Sequence, residues 1–422
     1  MYRNVFIGGL LASTALLGLA AWLDLRALWA LALVGPVAGL GLYDMLQREH
    51  TILRNFPVLG HFRYAFEAVR PEIQQYFIES NVDAYPVERE LRSIIYQRSK
   101  DELETQPFGT QRDVYRIGYE WASHVMMPAS ELELSQGAKP GHGGILPAVK
   151  VTPEIARIRG VPPHETVFSP PGHSAFSTPI ELIEFIERLR ELAGGKPVGF
   201  KLCVGRRSDL FSVCRAMIQL DTTPDFIAVD GGEGGTGAAP LEFTNSLGMP
   251  ARDAWIFVHS TLRGAGLRDR IKLLASGKIM TGFHMARALA LGADACYSAR
   301  GFMFALGCIQ ALRCNNDTCP TGITTQHPAR TVGLHVAEKA ERVERFHRAT
   351  VRGLLELLSA MGLEHPDRLQ PGHIFRRGDD QSVHSYAELY DFLESGQLLA
   401  SARKGSALEA EWDAARADRW SR

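Results

Sequence analysis

The chain has 422 residues, with 46 Lys+Arg against 47 Asp+Glu and a formal net charge of −1. That balance lacks the basic excess or stripe that a nucleic-acid surface needs, so no nucleic-acid partner is expected. Hydrophobic residues at 45% and charged residues at 22% fit an ordinary globular core rather than a disordered chain, and the length suits one large domain plus attachments.

The first elements are apolar. Val5 to Leu23 carries no charge, a turn of Asp24, Leu25 and Arg26 follows, and Ala27 to Tyr43 is a second uncharged run. A bilayer core needs about 20 apolar residues, with roughly 17 sufficient, so residues 1–46 are expected to form a transmembrane helical hairpin. The plain alternative is a cleaved signal peptide followed by a core helix, with Ala12, Ser13, Thr14 and Ala15 as a small-residue cleavage site. Against it, the first run is long for a signal sequence and the second follows at once. Arg3 precedes the hairpin, and Arg48, Arg54, Arg63 and Arg70 follow it. The positive-inside rule therefore puts both ends in the cytoplasm, and the expected location is the cell (inner) membrane with the catalytic domain facing the cytoplasm. In that compartment the six cysteines are expected to be thiols or metal ligands rather than disulfides.

Residues 47–130 have the look of a helical connector. Tyr64 to Val69 stops at Pro71, and Val87 to Ser99 has helical spacing with a charged face. No catalytic grouping stands out there, and a packing role is expected.

From Glu131 the pattern changes to short apolar runs ending in glycine, each followed by an amphipathic helix. Strand–loop units fall at 132–144, 197–205, 226–240, 271–279 and 293–301. Between them, Ser177-Thr178-Pro179 offers an N-cap and an N1 proline to a helix over Ile180–Leu192, and Gly195 closes it. Further helices are expected near Leu210–Leu220, Ala251–Leu267 and Phe283–Leu291. Strands alternating with helices imply a parallel sheet, and its usual enzyme form is a closed barrel whose loops at the strand C-termini carry the chemistry. The expected fold is therefore α/β, a (β/α)8 TIM-barrel type over residues 131–330. It is incomplete, with about five β/α units where closure needs eight. Residues 331–400 are expected as a C-terminal helical extension, with a long helix over Ala337–Gly362 and a short one over Tyr386–Leu393. Residues 401–422 are expected as a frayed or disordered helical tail.

The sharpest chemical signal is GCIQALRCNNDTCPTG at 307–322. Cys308, Cys314 and Cys319 are separated by five and then four residues, and Pro320 follows the last. Thiolates ligate iron–sulfur clusters, and Cys-Pro at the end of such a run turns the chain away from the cluster. Three close thiolates without a fourth Cys or a nearby His point to a three-iron cluster, because a structural zinc wants four ligands. The plain alternative is three structural thiols. Cys203, Cys214 and Cys296 lie in apolar runs and are expected to behave as small buried hydrophobes.

The glycine loops come next. VDGGEGGTGAAP (229–240) follows a strand, and such a loop lets backbone N–H groups close on a flat ring or a phosphate. ASGKIMTG (275–282) and SARG (298–301) end the last two strands, where β/α barrels bind phosphate. Lys201 lies inside the strand-like run GFKLCVG, where an ammonium is costly without an anionic partner. A reduced flavin or a substrate carboxylate would serve, and so would an ordinary salt bridge. Gln136 and Lys139, in SQGAKPGHGG, are candidates to meet substrate carboxylates.

The run LSQGAKPGHGGILP, the run VDGGEGGTGAAP and the cysteine spacing before PTGITTQ together resemble the FMN-binding synthase domain of glutamate synthase. The resemblance covers roughly residues 131–327. Upstream, the hairpin and HTILRNFPVLGHFRY (50–64) are similar to a stand-alone, membrane-anchored subgroup of that family. The resemblance implies FMN and a [3Fe-4S] cluster, and reductive conversion of the 2-oxo acid 2-oxoglutarate and ammonia to glutamate. Electrons would come from a donor such as ferredoxin or a reductase subunit. By motif, Cys308, Cys314 and Cys319 would be cluster ligands, and Gly234, Gly235, Thr236 and Gly237 would lie beside the flavin. Ser276, Gly277, Lys278, Ser298, Ala299 and Arg300 would bind the cofactor around its phosphate. Lys201 would face the flavin or the oxo acid, and with Gln136 and Lys139 it completes the expected catalytic set. The sequence departs from the family in two ways: no glutamine-hydrolysing domain is present, and the first three barrel strands are missing between Ser130 and Glu131. Two other readings stay open, an FMN oxidoreductase acting on another acid or amine and a non-catalytic, membrane-anchored remnant.

Overall fold

A computed structural model describes residues 2–47, 51–73, 109–117, 144–168, 173–234, 239–378, 382–400 and 407–420. The chain divides into two compact units, residues 1–100 and 101–422.

In the first unit, helix α1 (Tyr2–Leu23) is followed by a 3-10 stretch, Leu25–Ala30, that runs into helix α2 (Leu31–Leu46). Asp24 caps that stretch by accepting the Arg26 N–H at 2.9 Å. The two segments, Asn4–Leu23 and Leu25–Leu46, are long and apolar enough to cross a membrane. Their large side chains point outward, as with Trp22, Trp29 and Leu33. Gly41 of α2 receives the Phe6 ring of α1, and a Cβ there would lie 2.0 Å from that ring. Small residues permit such close approach between apolar helices. Three short helices follow, Thr51–Asn55, Gly60–Ala68 and Arg70–Ile73. The expected helix at Val87–Ser99 lies outside the described residues.

The second unit opens with a small antiparallel pair, β1 (Ile145–Leu146) and β2 (Val167–Phe168), that flanks helix α3 (Pro153–Arg159). Its main layer then alternates helix and strand: α4 (Pro179–Leu192), β3 (Gly199–Cys203), α5 (Arg207–Leu220), β4 (Phe226–Asp230), α6 (Ala251–Gly264), β5 (Lys272–Ser276), α7 (Gly282–Ala290), β6 (Ala295–Tyr297) and α8 (Arg300–Leu306). Strands β3, β4, β5 and β6 form one parallel sheet in sequence order. These strands match four of the five expected units, and the unit at 132–144 lies outside the described residues. Among the described residues the sheet is open rather than closed into a barrel, as expected for an incomplete one.

Strand alternation decides the two faces of this sheet. Leu202, Ile227, Val229, Leu273 and Ala275 are buried in one core with Leu182, Ile183 and Ile186 of α4, Leu210, Phe211 and Met217 of α5, and Trp255 of α6. Each Val, Leu, Ile, Phe or Met among them contributes roughly 1.5–3 kcal/mol by leaving water. The opposite face carries Lys201, paired in register with Ala228, then Leu274, then Ala295. Thr178 caps α4 by accepting the Glu181 N–H at 3.2 Å, with Pro179 at N1, as the sequence indicated.

A long helix, α9 (Val336–Ala360), packs on α7 and α8. Gly282 permits the first of these contacts, because a Cβ there would lie 2.4 Å from the Leu354 nitrogen. Beyond α9 the extension is less helical than expected. An antiparallel pair, β7 (Phe375–Arg377) and β8 (Val383–Ser385), precedes a single helical turn at Tyr386–Leu389. The frayed tail is also corrected. Helix α10 (Ala407–Ala414) docks through Trp412, which meets Phe211 edge-on at 5.6 Å and lies under Arg215. Trp420 donates to the Ser177 carbonyl at 2.8 Å. Two tryptophans bury enough surface to outweigh the solvation of the charges around them.

Candidate functional site

The C-terminal ends of β3 to β6 gather the sequence-nominated residues. Lys201 Nζ lies 2.9 Å from Asp230 Oδ2, so its anionic partner within the chain is a carboxylate on the next strand. Asp230 also accepts the Ser276 hydroxyl at 3.0 Å. The carboxylate thus ties β3 to β5 across β4, and the ammonium stays half-exposed. It opens into a cleft of about 490 Å³ with Ser276, Met285, Tyr297, Ser298, Phe302, Phe346 and His347 on its walls. That volume suits a small molecule.

The glycine loop after β4 is packed rather than open at its start. A Cβ on Gly232 would lie 2.5 Å from the Gly248 carbonyl oxygen. Glu233 turns inward and is almost fully buried. Its carboxylate accepts the Tyr115 hydroxyl at 2.7 Å and the Ala251 N–H, the first of α6, at 2.9 Å. The Tyr115 oxygen accepts the Arg252 N–H at 3.1 Å, and the Arg252 guanidinium lies 4.1 Å from the Tyr115 ring centre. Burial, reinforced by the Glu233 charge, raises the Tyr115 pKa well above the ordinary phenol value, so the hydroxyl stays a donor. Gly234 follows directly, and Gly235, Thr236 and Gly237 lie outside the described residues.

Two cations end the neighbouring strands. Lys278 follows Gly277 in the left-handed conformation, φ 53°, and Arg300 opens α8. The Lys278 side chain is exposed by area, yet the protein around its ammonium, together with Arg300, pushes its pKa below the ordinary value. Arg300 donates to the Glu233 carbonyl at 2.7 Å, and the Ser298 hydroxyl donates to the Ile279 carbonyl at 2.5 Å. The loops after β4, β5 and β6 are therefore cross-braced. Ala299 lies between Ser298 and Arg300 on the last of them. Adjacent cations on braced loops suit an anionic group such as a phosphate.

The third feature follows α8. Cys308, Cys314 and Cys319 all line one small hollow with Met303, Leu312, Thr321 and Thr324. The loop carries three non-glycine residues in the left-handed region, Gln310, Leu312 and Asp317. Such backbone persists only where its surroundings fix it. Here Asp317 supplies the anchors: its carbonyl accepts Thr325 Oγ1 at 2.7 Å and Arg330 at 2.9 Å, and its carboxylate accepts the Gln326 N–H at 2.7 Å. Lys150 adds a further pair of bonds, donating to the Cys314 and Thr324 carbonyls. Burial opposes a Cys319 thiolate, but hydrogen bonds from Thr321 and Thr324 outweigh it and bring the pKa to about 6. Burial raises Cys314 above its ordinary value. The Thr324 hydroxyl oxygen is shielded from solvent and faces the Cys314 and Cys319 sulfurs. All six cysteines are free thiols. Burial raises Cys214 and Cys296 to about 12, as befits apolar surroundings.

The structure therefore brings together Lys201, Ser276, Gly277, Lys278, Ser298, Ala299 and Arg300 at one sheet end, with the three cysteines one short helix away. Gln136 and Lys139 lie outside the described residues. Tyr115, Glu233 and Lys150 were not singled out in the sequence. Glu233 carried the one available signal, a lone carboxylate inside a glycine loop.

Residues 108–364 match the model of a conserved region in glutamate synthase. The chain is 42% identical over 255 residues to a glutamate synthase large subunit-like protein, YerD, of Bacillus subtilis, covering 60% of this chain and 48% of that one. It is 36% identical over 251 residues to an archaeal glutamate synthase [NADPH] of Methanocaldococcus jannaschii, covering 59% and 48%. It spans about half the length of these curated relatives. A flavocytochrome b2 mutant with pyruvate bound aligns with a TM-score of 0.30 and 14% identity over 49% of this chain and 43% of its own, too slight a likeness to bear on function. With the conserved region matched across the sheet, the cleft and the cysteine loop, the chain belongs to the glutamate synthase family.

Proposed function

We propose that this chain is a glutamate synthase-type oxidoreductase that converts 2-oxoglutarate and ammonia to glutamate at a membrane surface. FMN would lie at the ends of β4 to β6, and a [3Fe-4S] cluster on Cys308, Cys314 and Cys319. The observation that carries the reading is a single short helix between two sites. Arg300 starts α8 among the cationic loops, Phe302 faces the Lys201 cleft, and Met303 lines the cysteine hollow. Seven residues of helix cover only about 10 Å, short enough for direct electron transfer.

The residues present fit both groups. Lys278 and Arg300 offer positive charge to a phosphate, with Gly277, Ser298 and Ala299 supplying close backbone. Three cysteines line one hollow, and one favours its thiolate at neutral pH; among the described residues they are not drawn together as a single-ion site, and thiolates are the ligands an iron–sulfur cluster would take. The Thr324 hydroxyl, which faces two of the sulfurs, would be a donor to the bound group. FMN and the cluster, when bound, supply the hydride and single-electron chemistry.

The chain's own part is positioning and charge. Asp230 holds the Lys201 ammonium at the mouth of the cleft, where it would meet the oxo-acid carboxylate or the charge of a reduced ring. Gln136 and Lys139 would grip the substrate carboxylates. Gly234 to Gly237 would let backbone lie flat beside the ring. Ammonia would come from solution or a partner, and electrons from a ferredoxin or a reductase subunit. The helices of residues 2–46 would hold the enzyme at the inner membrane, with the arginines after them on the cytoplasmic side.

The test uses full-length protein purified anaerobically in detergent and reconstituted with FMN, iron and sulfide. Oxidation of the reduced flavin that depends on both 2-oxoglutarate and ammonia, with glutamate as product, is the expected result. Turnover with a different acid or amine alone would replace the substrate assignment. A cluster without any flavin would favour the non-catalytic remnant.

A further inference from the structure

Lys150 ends a short turn, Ala148–Lys150, directly after β1. Its ammonium reaches across more than 160 residues of sequence to the cysteine loop, where it donates to the Cys314 carbonyl and, at 2.8 Å, to the Thr324 carbonyl. These two carbonyls flank Cys319 on either side in the chain. An ammonium has three donors and no acceptor, so two of its three bonds go to backbone oxygen. Among the described residues Lys150 has no ion pair with a carboxylate. The one carboxylate of the loop, Asp317, is engaged by the Gln326 N–H. The Lys150 charge therefore stands beside Cys314, held by backbone carbonyls and, among the described residues, by no carboxylate.

We propose that Lys150 is the positioning residue of the cysteine loop, pinning it at two carbonyls and placing a positive charge that favours the reduced state of the bound cluster. This rests on the cluster reading above. Three thiolates give the site a negative charge, and adding an electron makes it more negative. A fixed cation close by stabilises the reduced form more than the oxidised one, and net charge is among the determinants of cluster potential. The two carbonyl bonds also hold Cys314 and Thr324 in place, so they slow the opening of the loop that releases iron.

The experiment compares full-length wild type with Lys150→Met and Lys150→Arg, each reconstituted anaerobically. Iron and sulfide per chain, the cluster midpoint potential and the rate of iron loss to a chelator are measured. Lys150→Met is expected to lower the reduction equilibrium constant about tenfold, or 59 mV for one electron, and to speed iron loss several-fold. Lys150→Arg, which keeps the charge and the donors, is expected to restore both. Should Lys150→Met fail to fold, Lys150→Gln keeps a neutral N–H donor group and removes the charge, and the same drop in potential is expected. An unchanged potential in the neutral variants, with the cluster bound, overturns the role of Lys150 alone. A wild-type chain that takes up no iron overturns the cluster reading first and this proposal with it.

Discussion

Glu233 is the point at which the glycine loop, the helix α6 N-terminus and the residue 109–117 segment meet, and replacing it by glutamine tests that junction. The carboxylate accepts two hydrogen bonds, from Tyr115 and from the Ala251 N–H, in a position only 2% exposed. Glutamine keeps one acceptor oxygen and turns the other into a donor that cannot accept. One bond to a charged group is lost, about 1.5–3 kcal/mol, together with roughly 0.3–1 kcal/mol from the negative charge at a helix N-terminus. The expected destabilisation is therefore about 3 kcal/mol, and the melting temperature in detergent should fall by about 3–5 °C. Tyr115→Phe removes the donor to Glu233 and the acceptor of the Arg252 N–H, at about 1–2 kcal/mol. Because the two side chains touch, the double variant should lose less than the sum, by about 1 kcal/mol. A Glu233→Gln chain within about 0.5 kcal/mol of wild type, or strict additivity in the cycle, would refute the assignment of Glu233 as the keystone of this loop.

Other consequences are equally open to measurement. Lys201→Met removes the ammonium held by Asp230, and it should leave bound flavin in place while turnover falls by about 100-fold; loss of flavin with unchanged turnover per flavin would contradict this. Cys319→Ala takes away the cysteine with the lowered pKa, and iron content after reconstitution should collapse while the thermal transition of the apoprotein stays near that of wild type. His259 is depressed to about 4, first by burial and then by Arg268 and Arg263. The unfolded chain therefore takes up a proton near pH 6.5 that the folded chain refuses, and the stability present above pH 6.5 is lost as pH falls towards 4. The loss should be about 2–3 kcal/mol, and His259→Gln should flatten that part of the denaturation profile.

Much of the sheet was legible because its signals are local. Alternation places Lys201 opposite Leu202 across the strand, and the glycines after Asp230 and Ser276 mark the strand ends. The three cysteines share a hollow because only ten residues lie between the first and the last. What sequence did not disclose are contacts made at long range. Tyr115 meets Glu233 across 118 residues and Lys150 meets Thr324 across 174, and neither pair has a spacing that periodicity can reveal. The tail misled for a related reason: its charges suggest solvation, while Trp412 and Trp420 find partners some two hundred residues upstream, at Phe211 and Ser177.

The central claim is that the cysteine loop and the cationic strand ends serve one electron path. Its most direct test is an absorption spectrum, with flavin and iron analysis, of the full-length protein prepared without oxygen. Flavin bands over a broad iron–sulfur background, with one iron for each of the three loop cysteines, are the expected result. A colourless protein holding neither iron nor flavin after reconstitution would contradict the account.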